Sequence, residues 1–165
     1  MKKSFLAAAL VCAMLSACAS SDKTGDATAS ADRMNAWSDA DITNLSDTRY
    51  AEQFKNTVNP IIYFGFNSSS LNGTALTILN EQLAWLHQNP NAMIVIEGHC
   101  DERGTREYNL ALGERRANAV RDYFVANGIN AGRIRIISYG KERPDVFGST
   151  EAAWSKNRRT VTIVN

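Results

Sequence analysis

The chain has 165 residues, a net charge of +1 and 44% apolar residues. Its length allows one ordinary domain with additional segments, and its composition is that of a protein with a packed core. A net charge this close to zero provides no extended basic field, so we expect no nucleic-acid partner. The two histidines and three cysteines lack the paired spacing of zinc sites, and we expect no metal and no cofactor.

Residues 1–17 have the composition of a lipoprotein signal peptide. Lys2 and Lys3 precede an apolar run from Phe5 to Leu15, which is too short to span a membrane. The segment then reads Leu-Ser-Ala-Cys at residues 15–18, which resembles a bacterial lipobox. This resemblance implies that Cys18 is acylated and becomes the new N-terminus, and that Ala19 after it favours the outer membrane. Several acyl chains on one residue would anchor the protein stably. The alternative is an ordinary secretory signal with a chance cysteine.

Residues 18–56 are predicted to be the acylated N-terminus and a flexible linker. The part from Ala19 to Ser30 consists of small and polar residues without an apolar period, and such a segment cannot bury enough surface to fold. The part from 32 to 56 is mixed, because it contains Trp37, Tyr50 and Phe54. Its composition favours a disordered tether but leaves open a transient helix or a docking segment.

Residues 57–165 alternate between strand and helix patterns and predict a single domain. The predicted strands are Ile61–Phe66, Ala92–Glu97, Arg133–Ser138 and Thr160–Val164. The predicted helices are Gly73–Asn89 after the capping residue Asn72, Arg106–Asn127, and a short one over Glu151–Ser155 after Thr150.

The predicted fold is α+β, with two layers. Apolar stripes on the two long helices identify their core faces, at Leu76, Leu79, Leu83 and Leu86 in the first and at Gly113, Ala117, Val120 and Phe124 in the second. Helices of this length suit crossovers on one face of a mixed four-stranded sheet, in the order β-α-β-α-β-short α-β. We expect the first strand to be buried on both faces. The last strand follows a short connection, so we expect it to run antiparallel.

Charged residues cluster where the second strand ends and the second long helix begins. Asp101 lies at the carboxyl end of a central strand, which is the edge where open α/β sheets bind ligands. Helical phase places Arg116 on the rim of the buried stripe and turns Arg115 to solvent. Asp101 suits an ammonium group and Arg116 suits a carboxylate, so the pair predicts a pocket for an amino-acid headgroup. An internal Asp101–Arg116 salt bridge explains the same spacing equally well.

Other readings of this stretch have less support in the sequence. His99, Cys100 and Asp101 suggest a metal site or a Cys–His nucleophile, but no second ligand cluster or oxyanion arrangement accompanies them. We expect Tyr108 and Leu110 to be packing residues. Glu102 and Arg103 are expected on the loop surface, as a possible mutual ion pair.

Several separated motifs resemble the peptidoglycan-associated lipoproteins, a group within the OmpA-like C-terminal domain family. They are YFGF at 63–66, GHCDERGT at 98–105, EYNLALGERRA at 107–117, SYGKERP at 138–144 and KNRR at 156–159. The resemblance covers residues 57–165 together with the signal. It implies non-covalent binding of peptidoglycan at the meso-diaminopimelate of the stem peptide.

The same resemblance assigns roles to individual residues. The aspartate and arginine of the family's site fall on Asp101 and Arg116, and its helix asparagine falls on Asn109. It also implies that the backbone of Cys100, the side chain of Leu112 and the loop at Phe66 and Asn67 complete the ligand site. Family members commonly have Asp where this chain has Asn67, so an ionic role is lost there. Cys100 likewise replaces a more usual Thr or Ala.

The resemblance also implies a place in the cell. A protein of this kind links the outer membrane to the cell wall as part of the Tol–Pal system, with TolB as a partner, and contributes to envelope integrity and cell division. It implies no enzymatic activity. The alternatives are a peptidoglycan hydrolase acting through Asp101, Glu102 or His99, and an OmpA-like motor stator, which would carry a transmembrane helix in place of the lipobox.

Overall fold

The computed structural model describes residues 48–165. Its helices are α1 (Thr48–Thr57), α2 (Gly73–Gln88), α3 (Arg106–Ala126) and α4 (Glu151–Asn157), and its strands are β1 (Ile61–Tyr63), β2 (Ile94–His99), β3 (Ile134–Gly140) and β4 (Arg159–Val164). A short 3-10 turn, Ala131–Arg133, leads into β3. The predicted signal peptide, Cys18 and the linker as far as residue 47 lie outside the described residues.

The four strands form one mixed sheet in the order β1-β4-β2-β3. β2 and β3 are parallel, whereas β4 is antiparallel to both of its neighbours, β1 and β2. The predicted α+β fold with a mixed four-stranded sheet is therefore confirmed, as is the antiparallel direction of the last strand. The last strand along the described chain lies inside the sheet, between the first and second strands.

The core lies between the sheet and the two long helices. Ala117, Val120 and Phe124 of α3 are fully buried against Ile94 and Ile96 of β2, as the predicted stripe requires. The predicted stripe of α2 is wrong at Leu76, which is 37% exposed. The buried residues of α2 are Ala75, Leu79, Gln82, Trp85 and Leu86. Among the described residues, none of the helices has the length and apolar composition needed to cross a membrane.

A polar residue is part of the α2 core face because its bonds are satisfied there. Gln82 is fully buried, and its amide donates to the carbonyl oxygen of Asn59 and accepts from the hydroxyl of Thr162 at 2.6 and 2.9 Å. A buried amide with both ends bonded is stable in a core. The apolar pattern alone does not reveal such a position.

Two glycines allow α3 to lie directly on the sheet. A Cβ at Gly98 of β2 would come within 2.0 Å of the backbone oxygen of Gly113, and a Cβ at Gly113 would come within 2.4 Å of the Ser138 hydroxyl. No larger residue fits this contact without moving backbone. The close approach fixes α3 relative to the end of β2, where Asp101 follows.

The first strand differs from its prediction. β1 has three residues, pairs only with β4 and therefore forms an edge of the sheet, with Tyr63 43% exposed. It is not buried on both faces. Phe64 still donates one backbone hydrogen bond to the carbonyl oxygen of Arg158, at 2.9 Å, and the chain then leaves the sheet. The aromatic residues that suggested a longer strand belong partly to the candidate site described below.

The folded unit also begins earlier than residue 57. In α1, Phe54 is 2% exposed and meets the Trp85 ring edge to face at 4.9 Å, and Tyr50 meets the same ring at 6.2 Å. Residues 48–56 are therefore a docked helix and not part of a flexible linker. The i, i+4 spacing of Tyr50 and Phe54 was the available signal, because it puts both rings on one helical face.

Candidate functional site

The loop between β2 and α3 is held in place by hydrogen bonds to β3 and to α3. The backbone nitrogen of Cys100 donates to the carbonyl oxygen of Gly140 at 2.8 Å, which fixes the start of the loop beside β3. Thr105 caps α3 by accepting from the backbone nitrogen of Tyr108. The side-chain amide of Asn109 donates to the carbonyl oxygens of Arg103 and Thr105 at 2.8 and 3.0 Å. Asn109, which is 2% exposed, thus folds the loop back onto its own helix.

Arg116 lies beneath this loop and is fully buried. Its guanidinium donates to the carbonyl oxygens of Ser68, His99 and Gly65 at 2.8, 2.8 and 3.1 Å, and a fourth N–H points at the sulfur of Cys100 at 3.4 Å. The predicted position on the rim of the helix is therefore wrong. Helical phase gave the direction of the side chain correctly, but the 65–68 segment covers it.

Asp101 is 5% exposed and has two cationic partners. Arg103 makes the closer pair, at 2.6 Å, and Arg158 lies 3.4 Å from the same carboxylate oxygen. Among the ion pairs of the described residues, Asp101 forms none with Arg116, so the internal Asp101–Arg116 salt bridge is not made. The expected Glu102–Arg103 pair is also wrong, because Glu102 accepts a hydrogen bond from the Trp154 indole at 3.0 Å.

The opposite side of the site comes from the segment after β1. Asn67 has a φ of 50°, in the left-handed region that asparagine tolerates better than most residues. Its side-chain oxygen accepts a hydrogen bond from the Tyr108 hydroxyl, which joins this segment to α3. Phe66 next to it is 63% exposed. Tyr108 was expected to be a packing residue, but it is 45% exposed at the mouth of the site.

These parts enclose one cavity of about 200 Å³. All seven residues predicted for ligand binding line it, namely Phe66, Asn67, Cys100, Asp101, Asn109, Leu112 and Arg116. Four further lining residues had no predicted role there, namely Arg103, Gly104, Tyr108 and Arg158. Tyr108 is three residues after Thr105 and four before Leu112, so helical periodicity places it on the same face of α3 as Leu112. This spacing was the one periodic signal for its position. Arg158 directly precedes β4, 57 residues after Asp101, and the KNRR motif at 156–159 was the one sequence signal that included it.

The lining of the cavity carries an excess of positive charge. One carboxylate, Asp101, lies among the guanidinium groups of Arg103, Arg116 and Arg158. Burial raises the pKa of Asp101, but the hydrogen bonds from Arg103 and Arg158 outweigh it and hold the pKa below its usual range. Burial also lowers the pKa of Arg116 and raises that of the Cys100 thiol. The cavity thus presents an ionised carboxylate and a neutral thiol beside fixed cations.

The structure does not support the Cys–His nucleophile or the metal site that this loop also suggested. The Cys100 sulfur donates to the carbonyl oxygen of Asn109 at 3.3 Å, whereas Nε2 of the buried His99 lies 3.6 Å from a carboxylate oxygen of Glu97. The two side chains therefore do not form a nucleophile–base pair. Within residues 48–165, no group of three or more His, Cys, Asp or Glu residues is arranged to hold a metal ion.

A comparison with protein-family models assigns the chain to a family. The model of the OmpA family matches residues 63–158, which include every lining residue of the cavity. The chain belongs to the OmpA family. The matched segment runs from the last residue of β1 to the residue before β4, and so lies within the folded unit.

Individual relatives agree with this assignment. The peptidoglycan-associated lipoprotein of Haemophilus influenzae is 43% identical over 159 residues, which cover 96% of this chain and 95% of that protein. That of Mesorhizobium japonicum is 49% identical over 115 residues, covering 70% and 68%. The crystal structure of the peptidoglycan-associated lipoprotein from Burkholderia pseudomallei superposes with a TM-score of 0.63 at 38% identity, covering 65% of this chain and 91% of that one. The C-terminal domain of Helicobacter pylori MotB has the same fold, with a TM-score of 0.58 at 18% identity, covering 64% and 83%.

Proposed function

We propose that this protein binds peptidoglycan non-covalently, by holding the meso-diaminopimelate of the stem peptide in the cavity between Asp101 and Arg116. The observation that carries the proposal is the convergence of an ionised carboxylate and a buried guanidinium on one cavity, in a chain that resembles proteins named for their association with peptidoglycan. Diaminopimelate carries an amino-acid headgroup at each end. Its ammonium suits Asp101 and its carboxylate suits Arg116.

The remaining donors of Arg116 suit a carboxylate that approaches end-on. Three of the five guanidinium N–H groups bond to carbonyl oxygens, and the fourth, on Nη1, meets only a weak sulfur acceptor. A carboxylate in the cavity would take one N–H from each terminal nitrogen, in the two-pronged geometry that arginine favours. The hydrogen bonds to the three carbonyl oxygens fix the guanidinium in this orientation. Arg158 adds a second buried cation beside the same space, which favours a ligand with more than one carboxylate.

The experiment that tests this proposal is co-sedimentation with purified cell wall. Full-length protein in detergent should pellet with peptidoglycan whose stems contain diaminopimelate, and Asp101→Ala and Arg116→Ala should remain in the supernatant. Normal pelleting of both variants would show that the cavity is not the binding site. Circular dichroism of each variant establishes that it is folded before its binding is scored.

A second measurement asks which part of the ligand is read. Peptidoglycan with lysine in place of diaminopimelate lacks one carboxylate of the headgroup, so its binding should be weaker because Arg116 has no partner. Equal binding of the two wall types would place recognition elsewhere.

We further propose that the protein is a lipoprotein of the outer membrane, acylated at Cys18, that links this membrane to the cell wall from the periplasmic side. The lipobox-like residues 15–18 and the similarity to lipoproteins over nearly the whole chain support this. Cys18→Ala should release the protein from membranes into the soluble periplasmic fraction. Retention of this variant with the membranes would contradict the anchor.

The wider role that we propose is membership of the Tol–Pal system, with TolB as a partner, in envelope integrity and cell division. Its support is the family resemblance alone. Affinity purification of the tagged protein from cells after reversible crosslinking should recover TolB. We propose a binding protein and not an enzyme, because the cavity is built from opposite fixed charges that suit a zwitterion.

A further inference from the structure

Asp101 is already occupied by cations that belong to the protein. A carboxylate offers about four acceptor positions. The backbone nitrogen and Nε of Arg103 donate to one oxygen of Asp101 at 3.1 and 3.2 Å, and Nη2 of Arg103 donates to the other at 2.6 Å. Arg158 approaches that second oxygen at 3.4 Å. A ligand that binds to Asp101 must therefore replace one of these donors.

Arg103 is the donor that can move. Its side chain is 31% exposed, whereas that of Arg158 is 8% exposed and also donates to the carbonyl oxygen of Phe64 at 3.1 Å. The Arg103 guanidinium lies between two aromatic rings, 4.2 Å from the centre of Phe66 and 4.0 Å from that of Trp154. Cation–π attraction acts on the faces of the guanidinium, and its N–H edge remains available to a hydrogen-bond acceptor.

The surroundings of Arg103 provide a fixed backbone and a second acceptor. Asn109 holds the carbonyl oxygen of Arg103 at 2.8 Å, so the loop need not move with the side chain. On the far side, one carboxylate oxygen of Glu151 lies 3.9 Å from Nη2 of Arg103, and the Glu151 side chain is 65% exposed. The other oxygen of Glu151 accepts from Nη2 of Arg158 at 2.6 Å, so Arg103 would share this carboxylate with Arg158. The guanidinium thus has a second anionic partner at short distance once it leaves Asp101.

We propose that Arg103 is an internal occupant of the ammonium site, a latch that closes on Asp101 in the free protein and shifts toward Glu151 when a ligand ammonium takes its place. This rests on the proposed function for the nature of the ligand. The latch determines specificity, because a ligand without a cation cannot displace the guanidinium. Doing so would leave the buried Asp101 carboxylate with only the Arg103 backbone nitrogen and the more distant Arg158 as partners. It selects ligands that bring both charges of an amino-acid headgroup.

The probe for the latch is Trp154, which touches Arg103 directly. Full-length protein labelled with 5-fluorotryptophan has three ¹⁹F resonances, from Trp37, Trp85 and Trp154, and a Trp154→Phe variant identifies the third. Titration with free meso-diaminopimelic acid should shift the Trp154 resonance. Pimelic acid, which has both carboxylates and no ammonium, should not shift it.

Affinity gives the second readout, measured by calorimetry with the same ligand. Arg103→Ala and Arg103→Gln should bind meso-diaminopimelic acid more tightly than the wild type, by roughly tenfold, because the ligand no longer competes with a charge-assisted internal bond. Arg106→Ala is the matched control. It removes an equal charge from a side chain that is 66% exposed and paired with Glu142, so it should stay within about twofold of the wild type.

Two results of the ligand titrations would overturn the latch. Weaker binding by the folded Arg103 variants would make Arg103 a direct ligand contact, and a Trp154 resonance unmoved at saturation would show that the guanidinium stays in place. If neither the wild type nor the variants bind meso-diaminopimelic acid, the proposed function fails. The Asp101→Asn variant, measured without ligand, then still tests whether Arg103 is held by Asp101 in the free protein. A Trp154 resonance that is shifted relative to the wild type supports the latch, and an unshifted resonance contradicts it.

Discussion

Replacing Arg116 with lysine tests whether the buried guanidinium holds the site together as well as binding ligand. The change keeps the charge but replaces a planar fork with a single ammonium. Arg116 donates to carbonyl oxygens of Ser68, Gly65 and His99 from three different nitrogen atoms, at 2.8, 3.1 and 2.8 Å. One ammonium cannot reach all three acceptors. If two bonds are lost, the free energy of unfolding should fall by about 3 to 6 kcal/mol, since each hydrogen bond to a charged group contributes about 1.5 to 3 kcal/mol.

The measurement is urea unfolding followed by circular dichroism, with peptidoglycan pelleting below the unfolding transition. Arg115→Lys is the matched control, because Arg115 is the adjacent residue and is exposed. Its guanidinium lies 5.8 Å from the centre of the Tyr108 ring. Arg116→Lys should lose both stability and binding, and Arg115→Lys neither. If Arg116→Lys unfolds within about 1 kcal/mol of the wild type, the carbonyl bonds do not anchor the 65–68 segment, and the reasoning fails.

Three further outcomes are expected. Gly98→Ala should lower the free energy of unfolding by about 3 kcal/mol or more, because its Cβ would lie 2.0 Å from the Gly113 oxygen. Gly73→Ala is the control and should not lower it, because its Cβ meets nothing within 4 Å. Thermal unfolding of both variants is the measurement. Phe54→Ala should cost about 3 to 5 kcal/mol in the same assay, and an unchanged midpoint would show that α1 does not belong to the folded unit. The pKa of Asp101 is lowered on folding, so its contribution to stability should be complete above the usual pKa range of an aspartate. It should be lost progressively as the pH falls through that range to the lowered value. The difference in unfolding free energy between wild type and Asp101→Asn, measured across pH, reports this, and a loss that begins near neutral pH would contradict it.

The sequence predicted those parts of the fold that are determined by residues close together in the chain. Asn72 and Thr150 cap their helices as expected, because a capping side chain bonds to a backbone nitrogen three residues ahead. The core face of α3 followed from the spacing of Ala117, Val120 and Phe124. Asp101 and Arg116 line one cavity for a related reason, since they lie at one strand end and on the helix that follows it. The other five site residues were implied by the family resemblance.

The features that the sequence did not predict depend on contacts between distant segments. Arg116 is buried because the chain at Gly65–Ser68, about 50 residues earlier, folds over it. Arg158 reaches Asp101 from the far end of the domain, 57 residues later. Gln82 is buried because Thr162 supplies its partner. In each case a polar side chain is stabilised by a bond that periodicity and propensity do not encode, and hydrophobic patterning assigns such a residue to the surface.

The position of β4 inside the sheet makes completion of the fold depend on the last strand of the described domain. β1 and β2 have no hydrogen-bonded contact with each other and are joined only through β4, which is made after every other element of the described domain. Until residues 159–164 are available, β1 has no strand partner and one edge of β2 is open. Arg158, which precedes β4 directly, also completes the cavity only at that point. The fold and the binding site are therefore completed together, when the last segment of the described domain becomes available.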